Sequence, residues 1–245
     1  MNKLLVVLLV FFVLVAVNVP VRQANASTQF TASVSGSTNA VGRRLTSSGW
    51  WMGGSTVFAS GRNTSTAYSY GTGMRFTGVT IPKGARIDSA YISIKCRTGG
   101  SQSTCNSYVS CEATDNPGVF ADSASAFDTR YANHGTLVPW NNIGAWVQNY
   151  TYNSVDISVA IQERVNSNGW SSGNAIVVFW EDFANRSTVN NAIRYGYGYT
   201  SPMGIVINWS YGSDGVVSVD AVAKLSVITL DGVTYGIVKS IDGVQ

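Results

Sequence analysis

The chain has 245 residues, with 16 lysines and arginines against 13 acidic residues, and its 12% charged share is about half that of an ordinary globular protein. Gly, Ser, Thr, Asn and Tyr are abundant instead, which gives the neutral, hydroxyl-rich surface common on extracellular β proteins. Its basic residues are scattered, with only Arg43-Arg44 adjacent, so no patch exists to release counterions from a phosphate backbone and nucleic acid has no case as a partner.

Residues 1–26 read as a signal peptide. Lys3 supplies the positive start, Leu4 to Val17 is an unbroken apolar run of 14 residues, and Ala24-Asn25-Ala26 is the small-x-small pattern that a signal peptidase accepts. Cleavage after Ala26 is expected. A retained anchor is the alternative, but 14 residues fall short of the roughly 20 needed to span a bilayer, and no later stretch is apolar for long enough. Removing the leader takes Lys3 and Arg22 with it and leaves 14 basic against 13 acidic residues.

Residues 27–209 read as one antiparallel β-sandwich of jelly-roll type. Phe30–Val34, Arg75–Ile81, Arg86–Lys95, Tyr108–Ala113, Ala175–Trp180 and Gly204–Trp209 are short, rich in β-branched and aromatic residues, and bounded by Gly, Asn, Ser or Pro. Ala90, Ile92, Ile94 and Cys96 alternate with Tyr91, Ser93, Lys95 and Arg97, the period of a half-buried strand. The run from Ala175 to Trp180 is apolar without alternation and predicts a central strand covered on both sides.

Three cysteines, Cys96, Cys105 and Cys111, lie within 16 residues. Export permits a disulfide, and an odd count leaves one thiol over. A hairpin turning at Gly99-Gly100 would bring Cys96 and Cys105 to its mouth, so a Cys96–Cys105 bridge is the favoured pairing; three packed thiols are the alternative. With His134 as the single histidine and no CxxC pair, no metal site is expected.

One segment has helical period. Ile157, Ile161 and Val165 recur every four residues, Ser154 or Asp156 can cap the start and Asn168-Gly169 can stop it, predicting one short amphipathic helix over about 155–167. Trp50, Trp51, Trp140, Trp146, Trp170 and Trp209 are expected in the core or at its corners.

Candidate binding residues follow. Tyr195, Tyr197 and Tyr199 alternate with Gly196 and Gly198, so an extended backbone would project three rings to one side. A neutral saccharide packs its C–H face on aromatic surface and needs polar partners for its hydroxyls; Asn190, Asn191 and Arg194 stand nearby to supply them. Covering a sheet edge is the competing use of the same tyrosines.

Catalysis lacks an obvious apparatus. His134 sits in a loop sequence without a nucleophile elbow. Glycoside hydrolysis needs two opposed carboxylates, and the mature chain has three glutamates: Glu112, in a strand expected to face outward, Glu163 in the predicted helix and Glu181 at a strand end. A non-catalytic protein without cofactor is expected, with a polysaccharide-acting hydrolase as a remote alternative.

Beyond the sandwich, residues 210–245 form a repeat. Val216 to Val222, Val227 to Val233 and Val238 to Val244 align with a period of 11 residues and place Asp220, Asp231 and Asp242 in register. Each unit reads as a strand followed by an Asp-Gly or Asp-Ala turn. Such a tail suits self-association or pairing with a partner protein through residues 216–244; a loosely folded tail is the alternative.

The segments Gly73 to Ile92, Val155 to Trp170 and Trp170 to Ile176, with Glu112 to Pro117 and Trp140 to Trp146 between them, resemble a β-sandwich module. That module recurs in large bacterial extracellular proteins and in some phage-associated ones. The resemblance covers roughly residues 27–209 and implies a fold and an extracellular setting, with no catalytic residue to transfer. The tail resembles the short Asp-Gly repeats that end some phage and metagenomic structural proteins. The expected function is therefore a secreted or cell-surface module that binds a glycan or cell-surface polymer. The alternative is a structural component of a cell surface, or of a virion if phage-encoded, assembling through its tail.

Overall fold

The computed structural model describes residues 27–45, 50–52, 58–99, 103–199, 201, 203–211, 229–230 and 233–234. The predicted leader lies outside the described residues. In chain order the elements are β1 (Thr28–Ser33), a 3₁₀ turn (Ser37–Asn39), β2 (Ala40–Leu45), β3 (Trp50–Met52), β4 (Phe58–Asn63), β5 (Tyr68–Phe76), β6 (Arg86–Thr98), β7 (Cys105–Cys111), α1 (Ala124–Ala132), β8 (Val138–Ile143), β9 (Thr151–Asn153), α2 (Ser158–Val165), β10 (Ile176–Glu181), β11 (Ala192–Gly196) and β12 (Gly204–Ser210).

The strands build an all-β, sandwich-like fold in which the pairings are antiparallel. One layer is β1-β12-β6-β9. The other runs β11-β4-β5-β10-β7-β8, with β2 and β3 added beside β5. β6 belongs to both: Arg86 to Ser93 pairs with β12, Ser93 to Lys95 with β9, and Cys96 and Thr98 turn to β11. Its alternation is the predicted one, with Ile92, Ile94 and Cys96 buried and Tyr91, Ser93 and Lys95 half-buried. A register shift between Asn208 and Trp209 lets Ile87 and Ala90, three apart, both face inward.

β10 is the covered central strand that its unbroken apolar run predicts. Ile176, Val178 and Trp180 join the main core, while Val177 and Phe179 join a second cluster with Val41, Phe120 and Phe127 on the opposite face. That second cluster exists because α1 lies over the sheet. Ser123 caps the helix by accepting from the Ala126 amide, and Phe127 and Tyr131, four residues apart, point the same way onto Phe179. Gly71 and Gly73 make the close approach possible: a Cβ on Gly73 would sit 2.6 Å from the Phe120 ring.

The predicted helix is α2, which buries Ile161 and Val165 behind a buried Ile157. Asp156 holds its start, accepting from the Ser158 amide and from Ala90 of β6, both at 2.9 Å. Gln162 then clamps the helix to the chain entering β6, accepting from the Ile87 amide and donating to the Ala85 carbonyl.

Four expectations are corrected. α1 is a second helix that the sequence reading passed over. The strand expected over Arg75–Ile81 is the last part of β5, which ends at Phe76 before a loop held by the Val79–Asn174 backbone bond. β6 and β7 do not form a hairpin, because β7 takes both its partners, β10 and β8, from the other layer. Cys96 and Cys105 are accordingly free, buried thiols and not a bridge, and Cys111 is buried and free as well. Burial pushes Cys105 up to about 11 and Cys111 up to about 12.

In the second unit, residues 213–245, β13 (Thr229–Leu230) pairs antiparallel with β14 (Val233–Thr234). The pair flanks one Asp-Gly of the 11-residue repeat; Asp220, Asp231 and Asp242 lie outside the described residues. No helix among the described residues is long and apolar enough to cross a membrane.

Candidate functional site

Trp180, at the centre of the main core, anchors a stack of rings that leads to the surface. Trp146 lies over it at 5.7 Å between centroids and Trp140 at 5.8 Å, while Tyr152 of β9 stacks on Trp146 at 4.7 Å and 3°. Trp180 also donates its indole N–H to Ser107 Oγ at 3.2 Å, which fixes the base of the stack. Contacts of this kind add about 0.5–1.5 kcal/mol each beyond buried area, so the rings hold one another in place.

Trp140, Trp146 and Tyr152 line a groove of about 260 Å³ together with Asn142, Ile143, Gly144, Ala145 and Asn153. No charged side chain lines it. Asn142 and Asn153 are exposed, and neither side-chain amide is engaged by a hydrogen bond among the described residues. Asn142 holds a left-handed backbone, φ 55°, a conformation that asparagine tolerates better than most residues. Two free amides beside aromatic side chains offer both donors and acceptors to a ligand with an apolar face and a hydroxylated edge.

The loop that carries the groove is fastened from behind. Arg194 is buried and donates to the carbonyls of Ile143 at 2.6 Å, Gly144 at 2.8 Å and Ser103 at 2.6 Å, besides that of Ile193. Burial lowers its guanidinium from the ordinary value. On the far side of the loop, Asn149 and Tyr150 exchange backbone hydrogen bonds with Cys96, both at 2.8 Å, and the Val147 amide donates to the Tyr152 hydroxyl.

The residues singled out from sequence are therefore dispersed. Tyr195 packs beside Ala59, Tyr70 and Ile193; Tyr199 packs against the main core. Tyr197 donates its hydroxyl to Asn149 and lies under the Lys95 ammonium at 5.7 Å. Alternation fails as a guide here because β11 ends at Gly196, with a register shift against β6 between Tyr195 and Gly196. Asn191 is exposed with φ 55° at the start of the strand. Arg194, expected at a ligand, is spent inside on carbonyl groups.

The carboxylates are separately engaged. Glu112, expected to face outward, is buried and paired with Arg130 at 2.6 Å. Glu163 accepts from the Thr136 amide and hydroxyl. Glu181 is 1% exposed; its Oε2 accepts from the Phe183 amide and its Oε1 is buried without a hydrogen-bond partner. Burial pushes this carboxyl above the usual range, with Tyr131, Asp182 and His134 the titratable groups that bear on it. His134 is half-buried against Tyr131, bridged through its backbone to Glu112, and not a solvated loop residue.

A larger open depression, about 630 Å³, is lined by Ser27, Arg86, Ile87, Asp88 and Ser210. It lies where the sandwich begins and ends, and its Arg86–Asp88 pair already satisfies its charge.

No protein-family profile matches the sequence, and no curated protein is similar enough to it to serve as a relative. The groove residues were legible only in part. Trp140, Trp146 and Tyr152 recur at six-residue spacing among asparagines, but Trp140 lies in β8, Tyr152 in β9 and Trp146 in the loop between them, so the spacing alone does not show that they meet.

Proposed function

We propose that this protein is a secreted or cell-surface, non-catalytic module that binds an uncharged glycan in the groove between β8 and β9. The observation that carries this reading is an uncharged groove lined by three aromatic side chains and two unengaged asparagine amides. A pyranose ring meets both needs of such a site, since its C–H face packs on aromatic surface and its hydroxyls pair with the amides. An acidic sugar would find no cation there. The leader sequence and the low charge of the chain support the extracellular setting.

The test uses variants that spare the fold. Asn142→Gly removes an amide where glycine suits the positive φ, and Asn153→Ala removes one from an edge strand. Each is expected to weaken binding to the neutral glycans retained in an array screen by about tenfold, or about 1.4 kcal/mol. Unchanged binding by both variants would refute the site.

A second reading, assembly through the tail, draws on the β13–β14 pair around an Asp-Gly of the repeat. It predicts oligomers by light scattering that disappear when residues 213–245 are removed.

A further inference from the structure

The outer face of β1, β12, β6 and β9 carries a regular array. Register pairs Gln29 with Asn208 and Asn208 with Ser89; Thr31 with Val206 and Val206 with Tyr91; Ser33 with Gly204, Gly204 with Ser93, and Ser93 with Asn153. These are three rows about 7 Å apart, crossing strands spaced about 4.8 Å. Gln29, Thr31, Ser33 and Asn153 are exposed, and the Tyr91 ring is half-buried in the middle row. Gln29 donates to Asn208 Oδ1 at 3.0 Å and Asn208 donates to Ser89 Oγ at 2.8 Å, so the first row is pre-ordered.

Charge is confined to the ends. Arg86 and Asp88 pair beyond the first row, and Lys95, past the third row, sits over the Tyr197 ring. Between them the face is hydroxyl and amide, with the half-buried Val206 and Tyr91 side by side in the middle row. It is also continuous with the groove, since Asn153 stands in the third row and in the groove wall.

We propose that this face extends the groove into a track for several consecutive units of one uncharged polysaccharide chain, with Tyr91 as its stacking platform. The proposal rests on the glycan reading of the groove and adds to it that the ligand is a polymer. A lone sugar unit would need only the groove; a chain leaving past Asn153 meets Ser93, then Tyr91, then the rows reaching β1. An ion or an acidic peptide has nothing between the two ends of this face to pair with, whereas the hydroxyls of a sugar chain match the hydroxyl and amide groups of the first and third rows and its C–H faces match Val206 and Tyr91 in the middle row.

The experiment takes the full chain. Affinity electrophoresis against cellulose derivatives, xylan, glucomannan and, as an acidic control, polygalacturonate selects the polymer, and calorimetry then follows its oligosaccharides from one to six units. The expected result is retention by a neutral polymer, affinity rising at least tenfold from one unit to six, and Tyr91→Ala lowering hexamer affinity at least fivefold while leaving the single unit unchanged. Tyr91→Phe is expected to restore the hexamer affinity, since it keeps the ring. Equal affinity for one unit and six, with Asn142→Gly and Asn153→Ala still damaging, would overturn the track and leave the groove standing. Indifference to those asparagine variants, or no neutral polymer retained, would overturn both. A change of molecular mass by light scattering in Tyr91→Ala would overturn the track in another way, by assigning the face to a second copy of the chain.

Discussion

The outer face of β2, β5 and β10 is closed by α1, whose Phe127 and Tyr131 rings pack on Phe179, whereas that of β1, β12, β6 and β9 is finished with Gln29, Thr31, Ser89, Tyr91 and Ser93, which nothing among the described residues covers. Both layers share one core. The closed face gains apolar burial and uses glycines at 71 and 73 to let rings approach the strands; the open one keeps polar groups that a closed face would have to satisfy internally. Apolar burial is thus added on one outer face, and the other is left to the recognition proposed above.

The sharpest way to break this division is to open the closed side. Phe127→Ala removes a 1% exposed ring at the centre of the second cluster, and a loss of about 3–5 kcal/mol is expected in denaturant unfolding. Glycan affinity of the fraction that remains folded is expected to be unaltered.

Arg194 connects the two kinds of region, because it is buried yet fixes the groove loop. Arg194→Met leaves the carbonyls of Ser103, Ile143 and Gly144 without their donor, with an expected cost of about 2–3 kcal/mol. Unlike Phe127→Ala, it is expected to weaken glycan binding in the folded protein, and calorimetry separates the two.

The smallest effect tests the chemistry beneath α1. Glu181 binds its proton more tightly folded than unfolded, since burial raises its carboxyl. Its contribution favours the fold below the ordinary carboxylate range and is lost as pH rises through the raised value. Glu181→Gln is expected to flatten that decline and to gain about 1–2 kcal/mol at pH 8, measured by unfolding across pH. A variant that is equally pH-sensitive would sink this assignment.

What was legible in the sequence follows from periodicity. β6, β10, β12 and α2 carry clean patterns of two, none or four, and each lies where its pattern put it. α1 was missed because only Phe127 and Tyr131 mark its apolar face; Ser123 at the cap position is the remaining signal. The groove was missed for a different reason. Trp140 and Trp146 read as core, and they are core by burial, 7% and 5% exposed; that they also line a groove depends on where the loop lies. Arg194 stands beside the tyrosines in sequence, and no sequence pattern announces that its guanidinium turns inward to a ring of carbonyls.

β1 and β12 pair along their whole length, Thr28 opposite Trp209, which brings the first and last strands of the sandwich to a common point. Tension applied between those two ends opens their ladder one bond at a time, as a zipper yields. Tension between the C-terminal end and a polymer held on the open face loads the bonds of β12 to its neighbours together, in shear. If the proposed polymer is held on that face, the same ladder resists the second pull better than the first.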